Sequence, residues 1–247
     1  MNNAPLVAHI DTLELAFVPK PWAFANERRA DIDAFFETMR KEKPALWNGR
    51  VLLMHHQVLG AGVLRGEYLE TDYASFAAWR HWGRPPAGVS DCFGAGAIVA
   101  RDGAVLLGVM GAQTLNAGLI YFPCGTPDPV DIVDGKVDLD FSVRRELKEE
   151  TGFDIAEFEP EPGWTMVADG PLIAQIKVLR SDKPSAFLRD RALEHLASEL
   201  HPELADIRIV RGPADVDRAM PRFVTAFLMS RFAGGILSMP EKRHDAP

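Results

Sequence analysis

One short helix constrains this chain more than any other stretch. Residues 141–151 read Phe-Ser-Val-Arg-Arg-Glu-Leu-Lys-Glu-Glu-Thr, with Asp140 placed to cap the start and Gly152 to end it in a left-handed conformation. Glu146, Glu149 and Glu150 fall at i, i+3 and i+4, so at about 100° per residue they share a face. Three carboxylates crowded this way repel one another unless something cationic joins them. Oxygen donors of this kind suit Mg²⁺ or Mn²⁺ rather than Zn²⁺. Arg145, four residues before Glu149, is placed to pair with it, and Val143 and Leu147 are expected to face the other way, onto a sheet. The competing reading is a charged helix surface that is merely solvated.

The rest of the chain alternates strands and helices without βαβ regularity. Leu13 to Val18, Gly49 to His56 and Val63 to Leu69 read as strands, and Asn26 to Lys41 as a helix burying Ile32, Phe35, Phe36 and Met39. Asp72 reads as the cap of a helix through Trp82, whose Tyr73, Phe76 and Trp79 form either a core stripe or a base-stacking platform. The Pro and Gly cluster at Gly83 to Gly88 divides residues 1–90, a smaller mixed region, from residues 91–240, a larger domain. Beyond it, Gly94 to Ala100 and Ala104 to Met110 flank Asp102-Gly103 as a β-hairpin. Leu119 to Gly125 is a short strand, followed by a Pro- and Asp-rich loop. After the charged helix come a strand pair broken at Asp169-Gly170-Pro171, a helix from Ser185 to Leu200, a strand from Ile207 to Val210 and a helix from Val216 to Phe232. This order predicts an α+β fold, a sandwich of helices around a mixed sheet.

Composition narrows the function classes. Asp and Glu number 35 against 27 Lys and Arg, a net charge of -8, which argues against a nucleic-acid partner. A phosphorylated small substrate stays admissible, because a bound cation reverses the local sign. Two cysteines, Cys92 and Cys124, exclude a disulfide scaffold and point to a reducing compartment. No apolar run approaches the roughly 18 residues of a membrane span, and no secretory signal is visible, so a cytoplasmic location without a membrane partner is the expectation. His55 and His56, adjacent in a strand, point to opposite faces and cannot chelate one metal. Cys124, His195 and the arginines 189, 191, 218 and 222 read as packing or surface residues, with one of the arginines a candidate phosphate contact.

Arg145 to Phe153 resembles the second half of the Nudix box, whose pattern is Gly, five residues, Glu, seven residues, then Arg-Glu-apolar-x-Glu-Glu-x-Gly-apolar. The resemblance implies a Nudix-type α/β/α sandwich and Mg²⁺-dependent (or Mn²⁺-dependent) hydrolysis of a nucleoside diphosphate linked to another group. Glu146, Glu149 and Glu150 would be the metal ligands, and with Arg145 the catalytic residues. The first half of the box departs. Gly125 stands about six residues too far from Arg145, Cys124 replaces a glycine, and Val137 occupies the position of the first glutamate. Asp128, Asp131, Asp134 and Asp138 are candidates to supply the missing carboxylate. The departure also keeps open a catalytically inactive Nudix-like module that binds a nucleotide or regulates.

Leu106-Leu107 and Gly118-x-x-x-Phe122-Pro123 match the coenzyme A pyrophosphatase group, but Met110 and Thr114 stand where that group has arginines. Pro44 to Gly49, with Tyr73, Phe76 and Trp79, is similar to the N-terminal half of the UDP-sugar pyrophosphatase branch. That similarity implies a nucleotide sugar as the diphosphate substrate. A homodimer is left open.

Overall fold

The computed structural model describes residues 4–44 and 46–234. Strands β1 (Leu6–Ile10) and β2 (Thr12–Phe17) are followed by helices α1 (Ala23–Glu27) and α2 (Arg29–Glu42). A long hairpin of β3 (Arg50–Gly60) and β4 (Val63–Asp72) leads into α3 (Tyr73–His81). Next come β5 (Asp91–Val99), β6 (Val105–Met110) and four two-residue strands, β7 (Ile120–Tyr121), β8 (Cys124–Gly125), β9 (Ile132–Val133) and β10 (Lys136–Val137). Helix α4 (Leu139–Thr151) precedes β11 (Glu159–Pro160), β12 (Trp164–Asp169) and β13 (Leu172–Arg180). Helix α5 (Ser185–Ser198), β14 (Leu204–Val210) and α6 (Arg222–Phe232) complete the described chain.

The architecture is α+β, with two mixed sheets and helices packed on them. The larger sheet runs β1-β12-β13-β5-β6-β14, with β13 parallel to β5, and the smaller runs β3-β4-β2-β10-β9, with β2 parallel to β4. Pairing crosses residue 90 in both sheets, since β1 lies against β12 and β10 against β2. One core joins the sheets: Ile10, Leu52, Met54 and Tyr68 pack with Val143 and Trp164. The Tyr68 hydroxyl donates to the Cys92 carbonyl at 3.1 Å across the same seam. A second core fills the space between the larger sheet and α5 and α6, with Leu188, Val224 and Phe227 on Ile98, Leu107 and Ile176.

Strand β5 positions the site. All nine of its residues are buried, and after Asp91 it reads as a continuous small and apolar run rather than an alternating one. Helix α4 lies directly on it. A Cβ at Gly94 would stand 2.8 Å from Val143 Cγ2 and 3.0 Å from the Leu139 carbonyl, so glycine there sets the depth at which the helix sits. Leu139, Val143 and Leu147 are the buried anchors of α4.

Several elements differ from expectation, and those around the site matter most. Helix α4 begins at Leu139, and Asp138, not Asp140, is its cap, accepting from the Phe141 amide at 2.9 Å. Asp140 lies in the first turn and pairs with Lys177 at 3.3 Å. Helix α6 begins at Arg222 rather than Val216, because Pro221 lacks an N–H and forces the preceding residue out of helical geometry. The Asp-rich loop contains a small hairpin, β9–β10, turned at Asp134-Gly135 with φ of +50° and +74°. That Asp-Gly pair is the same turn signal that marks the β5–β6 hairpin. Phe76 and Trp79 are fully buried, the core reading of the aromatic stripe, while Tyr73 is half-buried.

Candidate active site

The buried stripe of α4 contains two of its glutamates. Leu139, Ser142, Val143, Glu146, Leu147, Glu150 and Thr151 all face inward, at the spacing of an amphipathic helix, while Glu149 is exposed. The glutamates therefore do not lie opposite Val143 and Leu147; Glu146 and Glu150 flank them, on the side toward β8. Glu146 is 9% exposed and Glu150 3%. Gly125 makes room for Glu146, since a Cβ there would stand 2.2 Å from its Oε1. The Cys124 amide donates to Glu150 Oε1 at 3.3 Å, and Glu150 Oε2 is buried with no hydrogen-bond partner.

Desolvation dominates the electrostatics. Burial pushes the Glu146 carboxyl up to about 7, against the pull of Arg145 and with help from Glu149 and Glu203. Glu150 lies well above the usual carboxylate range, first through burial and then through Glu146 and Glu203. Burial and the same two helix carboxylates raise the Cys124 thiol, so it stays protonated rather than nucleophilic.

Arg145 is the hub of the cluster. Its Nη1 lies 2.9 Å from Glu146 Oε1 and 3.3 Å from Glu149 Oε2. Its Nη2 lies 3.3 Å from Asp131 Oδ2 and 3.7 Å from Asp128 Oδ2. Burial opposes its charge, but four carboxylates raise it above the ordinary arginine value. Asp131 is fully buried and also accepts from the Asp128 amide at 3.0 Å, which pins the inserted loop to the helix. Of the four loop aspartates, Asp128 and Asp131 thus meet Arg145, Asp138 caps α4 and Asp134 forms the hairpin turn.

Cys124 and Gly125 also form part of the wall of a cavity of about 460 Å³. Tyr73, Phe76, Arg80 and Arg84 border it from α3 and the turn beyond, Asp91 and Phe93 from β5. Glu203, exposed just before β14, and Arg222 at the start of α6 complete the rim. Partial desolvation and Glu149 raise the Glu203 carboxyl. Arg222 pairs with Asp169 at 3.2 Å, and Arg80 donates to Asn116 Oδ1 at 3.2 Å. Glu203, Arg80, Arg84 and Asp91 carry no local motif, and only the tertiary fold brings them to one cavity with Cys124 and Gly125. Arg189 and Arg191 pair elsewhere, with Asp206 and Glu157, and His195 Nε2 stands 3.2 Å from the Glu149 carbonyl oxygen behind the helix end.

The donor chemistry fits a hard cation, with buried oxygens and two carboxylate oxygens, Glu150 Oε2 and Asp131 Oδ1, left unsatisfied. The placement is not preassembled: among the described residues no three His, Cys, Asp or Glu side chains are gathered as a metal site would need. Arg145 instead compensates Glu146 and Glu149. No helix among the described residues is long and apolar enough to cross a membrane.

No family model matches the chain, and no curated protein does. Among solved structures it is similar to a Nudix hydrolase from M. smegmatis, RenU, at 16% identity over 56% of this chain and 80% of that one, with a TM-score of 0.37. The C-terminal domain of mouse MUTYH, solved with human PCNA, aligns at 16% identity over 57% of this chain and 88% of its own, with a TM-score of 0.34. The NUDIX domain of Shewanella oneidensis NrtR, solved with ADP ribose, aligns at 14% identity over 54% and 81%, with a TM-score of 0.31. At these values the functional reading rests on the chain's own residues.

Proposed function

We propose that this chain hydrolyses the diphosphate linkage of a nucleoside diphosphate derivative, with a nucleotide sugar as the preferred class and Mg²⁺ or Mn²⁺ as the cofactor. The observation that carries the reading is Glu146 and Glu150, desolvated side by side behind Cys124 and Gly125, with Glu150 Oε2 unpaired. Uncompensated buried carboxylates destabilise a fold, and they make physical sense when a cation joins them. Glu146, Glu149 and Glu150 would hold that cation, in place of the compensation that Arg145 gives two of them. When bound, it would neutralise diphosphate charge and lower the pKa of an attacking water.

The chain's own groups do the rest. Gly125 keeps the Glu146 carboxylate close against β8, and Asp131 with Asp128 holds Arg145 when the glutamates change partners. Arg80 and Arg222 offer positive charge on the pocket side, where three carboxylates alone would repel a diphosphate. A carboxylate of this set, with Glu203 among them, takes the proton from water. Turnover of nucleoside diphosphate compounds with Mg²⁺ and Mn²⁺, followed by phosphatase-coupled phosphate release and product mass, tests the reading. The expected result is metal-dependent cleavage of at least one compound that Glu150→Gln abolishes; cleavage indifferent to EDTA and to that substitution refutes it.

A second reading is a nucleotide-binding module without turnover. The pairing of Arg145 with all four neighbouring carboxylates, in a cluster not gathered for a metal, favours it. Ligand binding without hydrolysis across the same compounds would select it.

A further inference from the structure

The pocket that Cys124 and Gly125 border holds charged groups that the proposed hydrolysis does not use. Asp91, the first residue of β5, is 3% exposed and borders the cavity, and its Oδ1 makes no hydrogen bond. Its Oδ2 lies 3.6 Å from Arg84 Nη2, and Arg84 Nε is also buried without a partner. An unpaired buried donor or acceptor destabilises a fold, so native folds keep few of them. Here one of each is buried and unpaired on neighbouring side chains that border one cavity.

Both side chains are held in place. Arg84 has φ of +52°, a left-handed conformation that disfavours any residue with a Cβ. Its amide donates to the Trp79 carbonyl at 2.8 Å, and the buried Trp79 indole donates to the Pro85 carbonyl at 2.9 Å. The turn is thus clamped from inside the core. The Asp91 amide donates to the Pro171 carbonyl at 2.8 Å, which fixes the head of β5.

We propose that Arg84 and Asp91 are the specificity pair of this pocket, reading an uncharged group that presents a hydrogen-bond donor beside an acceptor. Neighbouring hydroxyls of a sugar have that chemistry, and so does the N–H and C=O edge of a nucleobase. The pair carries no net charge. Beside the pair, Arg80 and Glu203 add one charge of each sign, so a neutral group matches the pair itself better than a free anion or cation does. Half-buried Tyr73 adds ring surface for the flat or apolar side of such a group. The proposal rests on the reading of this cavity as a site for a nucleoside diphosphate derivative, but it does not require turnover.

Calorimetric titration of UDP-glucose, UDP, ADP-ribose and ADP in Mg²⁺ tests it on the full chain, with Asp91→Asn and Arg84→Lys as variants and a thermal melt for each. Wild type should bind at least one compound, and both folded variants should lose about 10- to 100-fold in affinity for it. A loss confined to the sugar-bearing compounds assigns the pair to the sugar; an equal loss for the parent diphosphate assigns it to the base. If Asp91→Asn does not fold, Arg84→Lys decides alone. Unchanged affinity in a folded variant overturns the proposal, as does a wild-type protein that binds none of the four. Hydrolysis is measured separately. Variant-sensitive binding without turnover refutes the hydrolase reading and keeps this one, whereas turnover with an unaltered KM in both variants does the reverse.

Discussion

The site has two sides built in different ways: a glutamate wall behind Cys124 and Gly125, and the pocket that those two residues border on their other side. The glutamate wall comes from one helix, α4, whose spacing puts Glu146 and Glu150 one turn apart on one stripe. The opposite wall gathers Arg80 from α3, Arg84 from a left-handed turn and Asp91 from the head of β5. The first wall is dense in carboxylate and the second mixes both signs. In the reading proposed here the first binds a cation and the second reads a neutral group. The contrast teaches that charge placed by helical periodicity is cheap to encode, whereas a mixed-sign wall needs several elements brought together.

The largest expected effect falls on the glutamate wall. Glu149→Gln and Glu150→Gln should each lower metal-dependent turnover by about 10³-fold or more, because an amide keeps the size but not the charge that holds a hard cation. Glu146→Gln belongs in the same group. A melt in EDTA should show these folds intact, with Glu150→Gln level or higher, since like-charge repulsion is relieved. Full turnover in both the Glu149 and Glu150 variants would remove the distinction between the walls.

Titration sharpens the comparison next. The Glu146 carboxyl is raised from 4.5 to about 7, first by burial. Below 4.5 it is neutral in both folded and unfolded chains, and the folded state bears no penalty. Between 4.5 and 7 the unfolded chain ionises first, so stability drains away as pH rises, and the loss is complete above 7. Wild type in EDTA should therefore lose on the order of 3 kcal/mol relative to Glu146→Gln across that window. Parallel denaturation curves at pH 4.5 and 7.5 for the two proteins would contradict it.

Backbone contacts give the next effect. Gly125→Ala places a methyl on the Glu146 carboxylate and should displace it, with turnover down about 100-fold, the order seen when a reacting group is misplaced by about 1 Å. Kinetics of this variant beside Glu146→Gln separate displacement from charge loss; wild-type rates would show that the contact is not limiting. Smallest in scope is Gly94→Ala, which crowds Val143 and the Leu139 carbonyl and should destabilise by about 1–3 kcal/mol through overpacking. Urea denaturation reads it directly, and a neutral result would mean that α4 is free to lift from β5.

The sequence by itself determined the charged helix, its end at Gly152, the β5–β6 hairpin and most of the amphipathic helices, because periodicity, caps and Asp-Gly turns act over a few residues. It also singled out Arg145 and the three glutamates. What it left open depended on distant partners. Val137 at the expected glutamate position hid the fact that Asp131, fourteen residues before Arg145, meets that arginine through a hairpin insertion. The pairing of β1 with β12 and of β10 with β2 tied the N-terminal strands to the later sheets. Only the tertiary structure decided which glutamates are desolvated, since burial is a property of what packs over a helix and not of its own spacing. The same holds for Arg84, Asp91 and Glu203, whose proximity arises from loop closure and strand pairing, terms that no local pattern encodes.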